Sequence, residues 1–376
     1  MKLIILQEKL KEGLNIAERV SSKSLTLPIL NNVLVSAEKN FINLAATNLE
    51  LGVNWWALAK IEKEGKITIP SHFFSNFINS LPNKKINLKA ENNNLLIECE
   101  NYKTQIKGLP AEDFPIIPKI SNGEFFSLNN SSFCQGLSQV ADIAVLSTAR
   151  PEISGVYFLF QKNSIIMAAT DSFRLAEKRI ILKNNSSLRK NYSLILPQKT
   201  AKEIVNILGN IEGESKIYFS SNQVMFESLM SEAKHPQIQL VSRLIEGEYP
   251  NYQEIIPQKY ATQIVLDKNE FLNQIKSASL FSGKTSEIKI KTDAKAKELK
   301  VLSQSQEVGE CQSSMPAKIK GDDLEIVFNY RFLAEGVANI KSSEIVLELN
   351  GDSGPGVLKP VGDDTYIYVV MPIKAS

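Results

Sequence analysis

Leu194-Ile195-Leu196-Pro197 is followed at helical spacing by Ala201, Ile204, Val205 and Leu208. The three branched residues read as the end of a strand, and the proline opens an amphipathic helix. The pattern recurs at Ile67-Thr68-Ile69-Pro70, before Phe73, Phe77, Ile78 and Leu81. It recurs again at Ile326-Val327-Phe328-Asn329, before Leu333, Val337 and Ile340. Alternating apolar segments follow each copy, at Ile86 to Cys99, Ser215 to Phe226 and Glu344 to Leu349. A feature that returns at domain-sized intervals points to a repeat architecture.

Other landmarks return in the same order. Leu10, Leu14 and Ala17 make one apolar helix stripe, as do Phe133, Leu137 and Val140, and Phe271, Ile275 and Ala278. The strand end Ala45-Ala46-Thr47-Asn48 is echoed at Ala168-Ala169-Thr170-Asp171. Proline-marked stretches close the first two copies: Leu109 to Pro118, with Asp113-Phe114-Pro115, and Ile245 to Pro257, with Glu248-Tyr249-Pro250. Strand-helix alternation can look repetitive by chance, but four landmarks in register argue against that. The reading is an α+β protein of three tandem similar domains, 1–122, 123–258 and 259–376, the third being the weakest match.

The chain carries 43 basic and 41 acidic residues, for a net charge of +2. A protein that grips nucleic acid by neutralising phosphates usually has a clear basic excess. If this chain works on DNA, it must concentrate its cations on one face or hold DNA by something other than affinity. No apolar run has the length of a membrane span, and the N-terminus lacks a signal-peptide core. Cys99, Cys134 and Cys311 match no zinc or redox spacing. Buried thiols in a reducing cytoplasm are the simple expectation.

Advancing 100° per residue from the apolar stripes places Arg19, Lys23, Lys199, Lys202, Lys276 and Arg331 on the outer helix faces. His72, Lys199 and Arg331 all stand two residues after the repeat anchor. Solvated helix faces ordinarily carry such residues, and Glu12, Asp142, Glu203 and Glu335 share them. The functional alternative is a weakly basic surface that faces phosphates without gripping them.

Enzyme chemistry finds little support. Neither His72 nor His235 has a triad-like neighbourhood, and there is no P-loop or dinucleotide glycine fingerprint. Asp171 and Asp363-Asp364 read more simply as turn residues than as catalytic or metal-binding carboxylates. Of Trp55 and Trp56, one is expected in the core and the other exposed. No catalytic residue, metal or cofactor is expected.

Ala168-Ala169-Thr170-Asp171-Ser172-Phe173-Arg174-Leu175-Ala176 resembles the Ala-Thr-Asp-Gly-His-Arg-Leu-Ala signature of bacterial DNA polymerase III β subunits, the β sliding clamps. Tyr368-Val369-Val370-Met371-Pro372-Ile373-Lys374 resembles their closing Tyr-Val-Val-Met-Pro-Met-Arg. Leu27-Pro28-Ile29-Leu30, Phe114-Pro115 and Gly247-Glu248-Tyr249-Pro250-Asn251-Tyr252 also match, so the resemblance runs from Met1 to about Lys374.

The resemblance implies a head-to-tail homodimer closed into a pseudo-six-fold ring, helices inside and sheets outside, around duplex DNA. It implies DNA polymerase III, other polymerases, a clamp loader and repair proteins as partners. These would insert a Gln-Leu-x-Leu-Phe-type motif between the second and third domains. The pocket positions that carry over are Ile153, Thr170, Arg174, Leu175, Pro250, Ile255, Asn329, Val369, Val370, Met371, Pro372 and Ile373. Ser172-Phe173 replaces the usual Gly-His, Glu254 a usual Arg, and Phe332 a usual Tyr. A usual DNA-contacting Arg aligns with Ser24, beside Lys23, while Arg150 keeps its place. Two other readings differ in behaviour. A repeat-built peptide scaffold without a DNA role would show weak retention on circular DNA. A nucleic-acid enzyme would need a converging carboxylate cluster.

Overall fold

The structure is a computed structural model that describes residues 1–21, 24–120, 124–182, 188 and 190–373. Six helices lie among the described residues. They are α1 (Gln7–Val20), α2 (Ser71–Ser80), α3 (Asn130–Ala141), α4 (Gln198–Leu208), α5 (Lys268–Ser279) and α6 (Tyr330–Asn339). The residues of the three expected stripes on α1, α3 and α5 are all buried, which drives each helix onto its sheets. Pro70, Pro197 and Asn329 stand at the N-caps of α2, α4 and α6. The prolines fix an extended entry, whereas Asn329 accepts a hydrogen bond from the Arg331 amide at 3.0 Å.

The strands form four antiparallel sheets, and two of them cross repeat junctions. One carries Phe125–Asn129, Glu214–Phe219, Gln223–Leu229 and Pro236–Arg243, then Leu51–Leu58, Phe41–Thr47, Asn32–Glu38 and Gly65–Pro70. Its junction pairs Ile238 with Trp55 and Leu240 with Val53. The second carries Tyr192–Pro197, Gly155–Gln161, Ser164–Thr170 and Arg174–Ile181. It continues with Tyr366–Val370, Gly356–Pro360, Glu344–Leu349, Thr262–Asp267 and Lys318–Lys320. Its junction pairs Arg174 with Val370 and Leu175 with Val369.

The other two sheets lie at the ends of the molecule. One ends on the Tyr102–Lys107 strand and the other on the Gly309–Pro316 strand.

Helices pack in pairs, α1 on α2, α3 on α4 and α5 on α6, and α1 also meets α4. Gln139 of α3 donates to the Asn339 carbonyl at the end of α6, at 2.8 Å. The helices therefore form one continuous layer against the sheets. None of them is long and apolar enough to cross a membrane.

Two expectations need correcting. Trp55 is buried as expected, but Trp56 is half-buried instead of exposed because His235 of the next repeat lies against it, with ring centroids 5.4 Å apart. Cys99 and Cys134 are buried, whereas Cys311 is partly exposed on the end sheet. The expected boundary at residue 122 lies outside the described residues.

Candidate functional site

The second junction is built on a turn. Thr170 Oγ1 donates to the Arg174 carbonyl at 2.7 Å and accepts from the Ser172 amide at 3.1 Å. Asp171 Oδ1 accepts from the amides of Phe173 and Arg174, each at 3.0 Å. Asp171 is thus a turn-forming residue. The first repeat makes the same four bonds. There Thr47 Oγ1 donates to the Leu51 carbonyl and accepts from the Leu49 amide, and Asn48 Oδ1 accepts from Glu50 and Leu51. Ser172 and Leu49 both take left-handed backbone, φ +77° and +72°. A position of that kind favours glycine, so serine there carries strain that the four bonds hold in place.

The turn carries Arg174 into the seam. Its guanidinium is nearly buried and pairs with Asp171 at 2.9 Å and with Glu335 of α6. Burial opposes its charge, but Tyr368, Glu335 and Asp171 outweigh that and hold it more firmly protonated than usual. The guanidinium also lies 4.6 Å from the centroid of the Phe332 ring. Phe173, 61% exposed, stacks on Phe332 with centroids 6.3 Å apart. Met371 donates its amide to the Phe173 carbonyl at 2.8 Å, which ties the C-terminal strand to the turn.

Beside the turn, Leu175, Val369, Val357, Tyr249 and Tyr252 form a small apolar cluster. Tyr252 donates to buried Glu177 at 2.6 Å. Burial, and then that bond, push the Tyr252 phenol up.

Thr170, Ser172, Phe173, Arg174, Leu175, Val369, Val370, Met371 and Phe332 are therefore brought together. Ile153 is buried in a short 3-10 turn, and Pro250 and Ile255 stand on the connector, Ile255 being 48% exposed. Asn329 spends its side-chain oxygen on capping α6. Ile373 donates to the Val327 carbonyl at 2.8 Å, and Pro372 lies between it and Met371. Glu254 is exposed and accepts from Asn251 at 2.6 Å. The partnership of Arg174 with Glu335 and the roles of Tyr252 and Glu177 were not foreseen, because no spacing links residues so far apart.

On the helix layer, Arg19 pairs with Glu203 at 3.8 Å, and Lys202 with Asp142 at 2.8 Å. His72 meets Glu18 at 2.6 Å; Arg150 is not on the helix layer but on the turn before Pro151–Ile153, where it meets Glu152 at 3.1 Å and donates to the Ser172 hydroxyl at 3.4 Å. Lys199, Lys276 and Arg331 are exposed and have no ion pair among the described residues. Lys23 lies outside the described residues. The free cations are thus few, as on a surface that faces phosphates without holding them.

Three family models cover nearly the whole chain. The N-terminal, central and C-terminal domains of the DNA polymerase III beta subunit match residues 1–118, 127–251 and 253–374. A Staphylococcus aureus protein named beta sliding clamp is 29% identical, over all of this chain and 99% of its own length. The Bartonella birtlesii sliding clamp, solved bound to griselimycin, is 25% identical with a TM-score of 0.90 over both full chains. The Thermotoga maritima beta subunit, at 24% identity and a TM-score of 0.91 over both full chains, shares the fold.

Proposed function

Taking as premise that this chain belongs to the DNA polymerase III β-subunit family, we propose that two copies close head to tail into a ring around duplex DNA. The chain is a sliding clamp, a processivity factor for DNA polymerase, and its family is non-catalytic. One observation carries the ring. At each internal junction, the last strand of one repeat pairs with the strand that follows the turn in the repeat before it. Pro236–Arg243 pairs in this way with Leu51–Leu58, and Tyr366–Val370 with Arg174–Ile181. Two strands are left over, Tyr102–Lys107 closing the first repeat and Gly309–Pro316 following the turn of the third. Among the described residues each ends its sheet with an unpaired edge, which invites another strand. A second copy supplies both missing partners by the same rule, and a heterologous contact that closes makes a ring.

In that ring the helix layer faces DNA. Arg19, Lys23, His72, Arg150, Lys199, Lys202, Lys276 and Arg331 are assigned to the DNA-facing surface. The domains are taken as 1–122, 123–258 and 259–376, and the working compartment as the cytoplasm. The partner site is the second junction: the turn residues Thr170 to Leu175, the strand Val369 to Met371 with Pro372 and Ile373, and Ile153, Pro250, Ile255, Asn329 and Phe332. A polymerase, clamp loader or repair protein docks a short apolar motif there, and the ring tethers it by raising its effective concentration.

The test combines mass and topology. The protein in solution should show about twice the 41.9 kDa chain mass. Loaded on a nicked circular duplex by a clamp-loading ATPase, it should stay bound until the circle is cut and then leave. A monomer that is lost equally from circle and line would overturn the ring and favour a peptide scaffold.

A further inference from the structure

On the sheet face turned away from the helices, the first two repeats carry equivalent rows of residues. Leu34 stands opposite Ala45, and Ala45 opposite Asn54. The same row in the second repeat is Tyr157, Ala168 and Glu177. A connector lies over each row. It brings Phe114 and, three residues on, Ile117 to the first, and Tyr249 and Tyr252 to the second.

The second row is closed by its own tyrosines. Tyr249 stacks on Tyr157 with centroids 5.1 Å apart, and Tyr252 donates to Glu177 at 2.6 Å. In the first row Leu34 and Ile117 stand where Tyr157 and Tyr252 would, and a cavity of about 620 Å³ remains. That is the size of a small-ligand site. His235 of the second repeat walls it, stacked on Phe41 at 4.1 Å and edge-on to Trp56.

Two polar groups lining the cavity lack partners among the described residues. Ser36 is only 5% exposed, yet its hydroxyl makes no hydrogen bond there. Buried hydroxyls are ordinarily paired. Asn54, the counterpart of Glu177, makes no side-chain hydrogen bond either. Lys39 and Lys119 line the cavity, exposed and without an ion pair among the described residues. Of the lining carboxylates, Glu38 is held by Lys66 at 3.3 Å, which leaves Glu112 alone against the two lysines.

We propose that this cavity is a second docking site, which takes a tyrosine side chain from an acidic segment of a partner protein. The ring lies among Phe41, Trp56 and His235, where aromatic contacts add to apolar burial. The phenol pairs with Asn54 as Tyr252 pairs with Glu177, and Ser36 supplies a further hydrogen-bonding group. Lys39 and Lys119 favour acidic flanks. The site belongs to the first junction, and none of its lining residues lies on either free edge strand.

The probe is a fluorescent copy of the chain's own second connector, Glu-Gly-Glu-Tyr-Pro-Asn-Tyr, added to the intact protein. It should bind saturably, and an excess of unlabelled Gln-Leu-Ser-Leu-Phe peptide should not displace it. Replacing its last tyrosine by phenylalanine should weaken binding roughly fivefold, the worth of one hydrogen bond. Replacing both glutamates by lysine should weaken it roughly tenfold at low salt. Leu34→Tyr, which restores the ring of the second repeat, should abolish binding, and Asn54→Leu should make the tyrosine and phenylalanine probes equal. Melting curves check both variants, and the comparison of probes on wild type needs neither. Absence of saturable binding, equal binding of the tyrosine and phenylalanine probes by wild type, displacement by the Gln-Leu-Ser-Leu-Phe peptide, or full binding by folded Leu34→Tyr would each overturn the proposal.

Discussion

Gly13 of α1 has no room for a side chain, because a Cβ there would clash with the ring of Trp55. Trp55 is almost wholly buried. Gly→Ala in a helix usually stabilises by about 1 kcal/mol through propensity. Here overpacking costs about 1–3 kcal/mol and should win, so Gly13→Ala is expected to lower the melting temperature. A raised melting temperature would mean that Trp55 can move aside. At this scale the sequence was informative where a residue acts locally. Asp171 was legible as a turn former because its two acceptor bonds reach only two and three residues ahead. Arg174 was legible as a site residue through family resemblance, but its partner Glu335, 161 positions away, was not. Phe332 read only as a lost hydroxyl, since its contact with Phe173 exists only after two domains meet.

The hairpin Gly356–Pro360 to Tyr366–Val370 shows how an element is fastened across a junction. Its turn reaches the second repeat, where Lys178 Nζ donates to Thr365 Oγ1 at 2.6 Å and lies 3.5 Å from Asp363. Partial burial raises the Asp363 pKa, but the hydroxyl and amide of Thr365 and the charge of Lys178 outweigh it and hold the carboxyl below its usual value. A folded-state pKa lower than the unfolded one, about 3.9 for Asp, favours the fold above that pH. The contribution disappears as pH falls through the folded-state value. Asp363→Asn should therefore melt earlier than wild type near neutrality, and scanning calorimetry should show the gap closing as pH drops below about 4. A gap that stays constant with pH would remove the charge from the explanation. Helices, connectors and this turn were legible because apolar spacing and turn chemistry are local. The third repeat read weakest for a physical reason. Asn329 caps α6 where proline opens α2 and α4, and its Ser305–Gly309 hairpin keeps only the hydroxyl bond to the amide two residues on, at 3.3 Å.

For the whole molecule, the near balance of 43 basic and 41 acidic residues is a design constraint rather than an inconvenience. Order along the chain revealed the three repeats, but strand pairing across junctions was not legible, because register between distant strands depends on surfaces that meet only in the fold. That pairing is what makes a ring reasonable, and a ring separates retention from affinity. Of the expected DNA-facing cations, Arg19, Arg150 and Lys202 are neutralised by carboxylates on the same molecule, leaving Lys199, Lys276 and Arg331 as the described ones without such a partner. With three such cations in each of two chains, about six phosphate contacts are the most that open duplex could gain from them, so its binding should weaken by up to roughly a thousandfold between 50 and 200 mM salt. Residence on a closed circle should barely change over that range, since escape requires the strand pairing between copies to open. Replacing Lys199, Lys276 and Arg331 with Glu should abolish what binding to short linear duplex exists while leaving most loaded rings on nicked circles. Electrophoretic mobility on short duplex and gel-filtration retention on circles would measure the two quantities side by side. If the triple variant leaves the circle as readily as it leaves the short duplex, those three cations and not the closed ring are what hold the DNA.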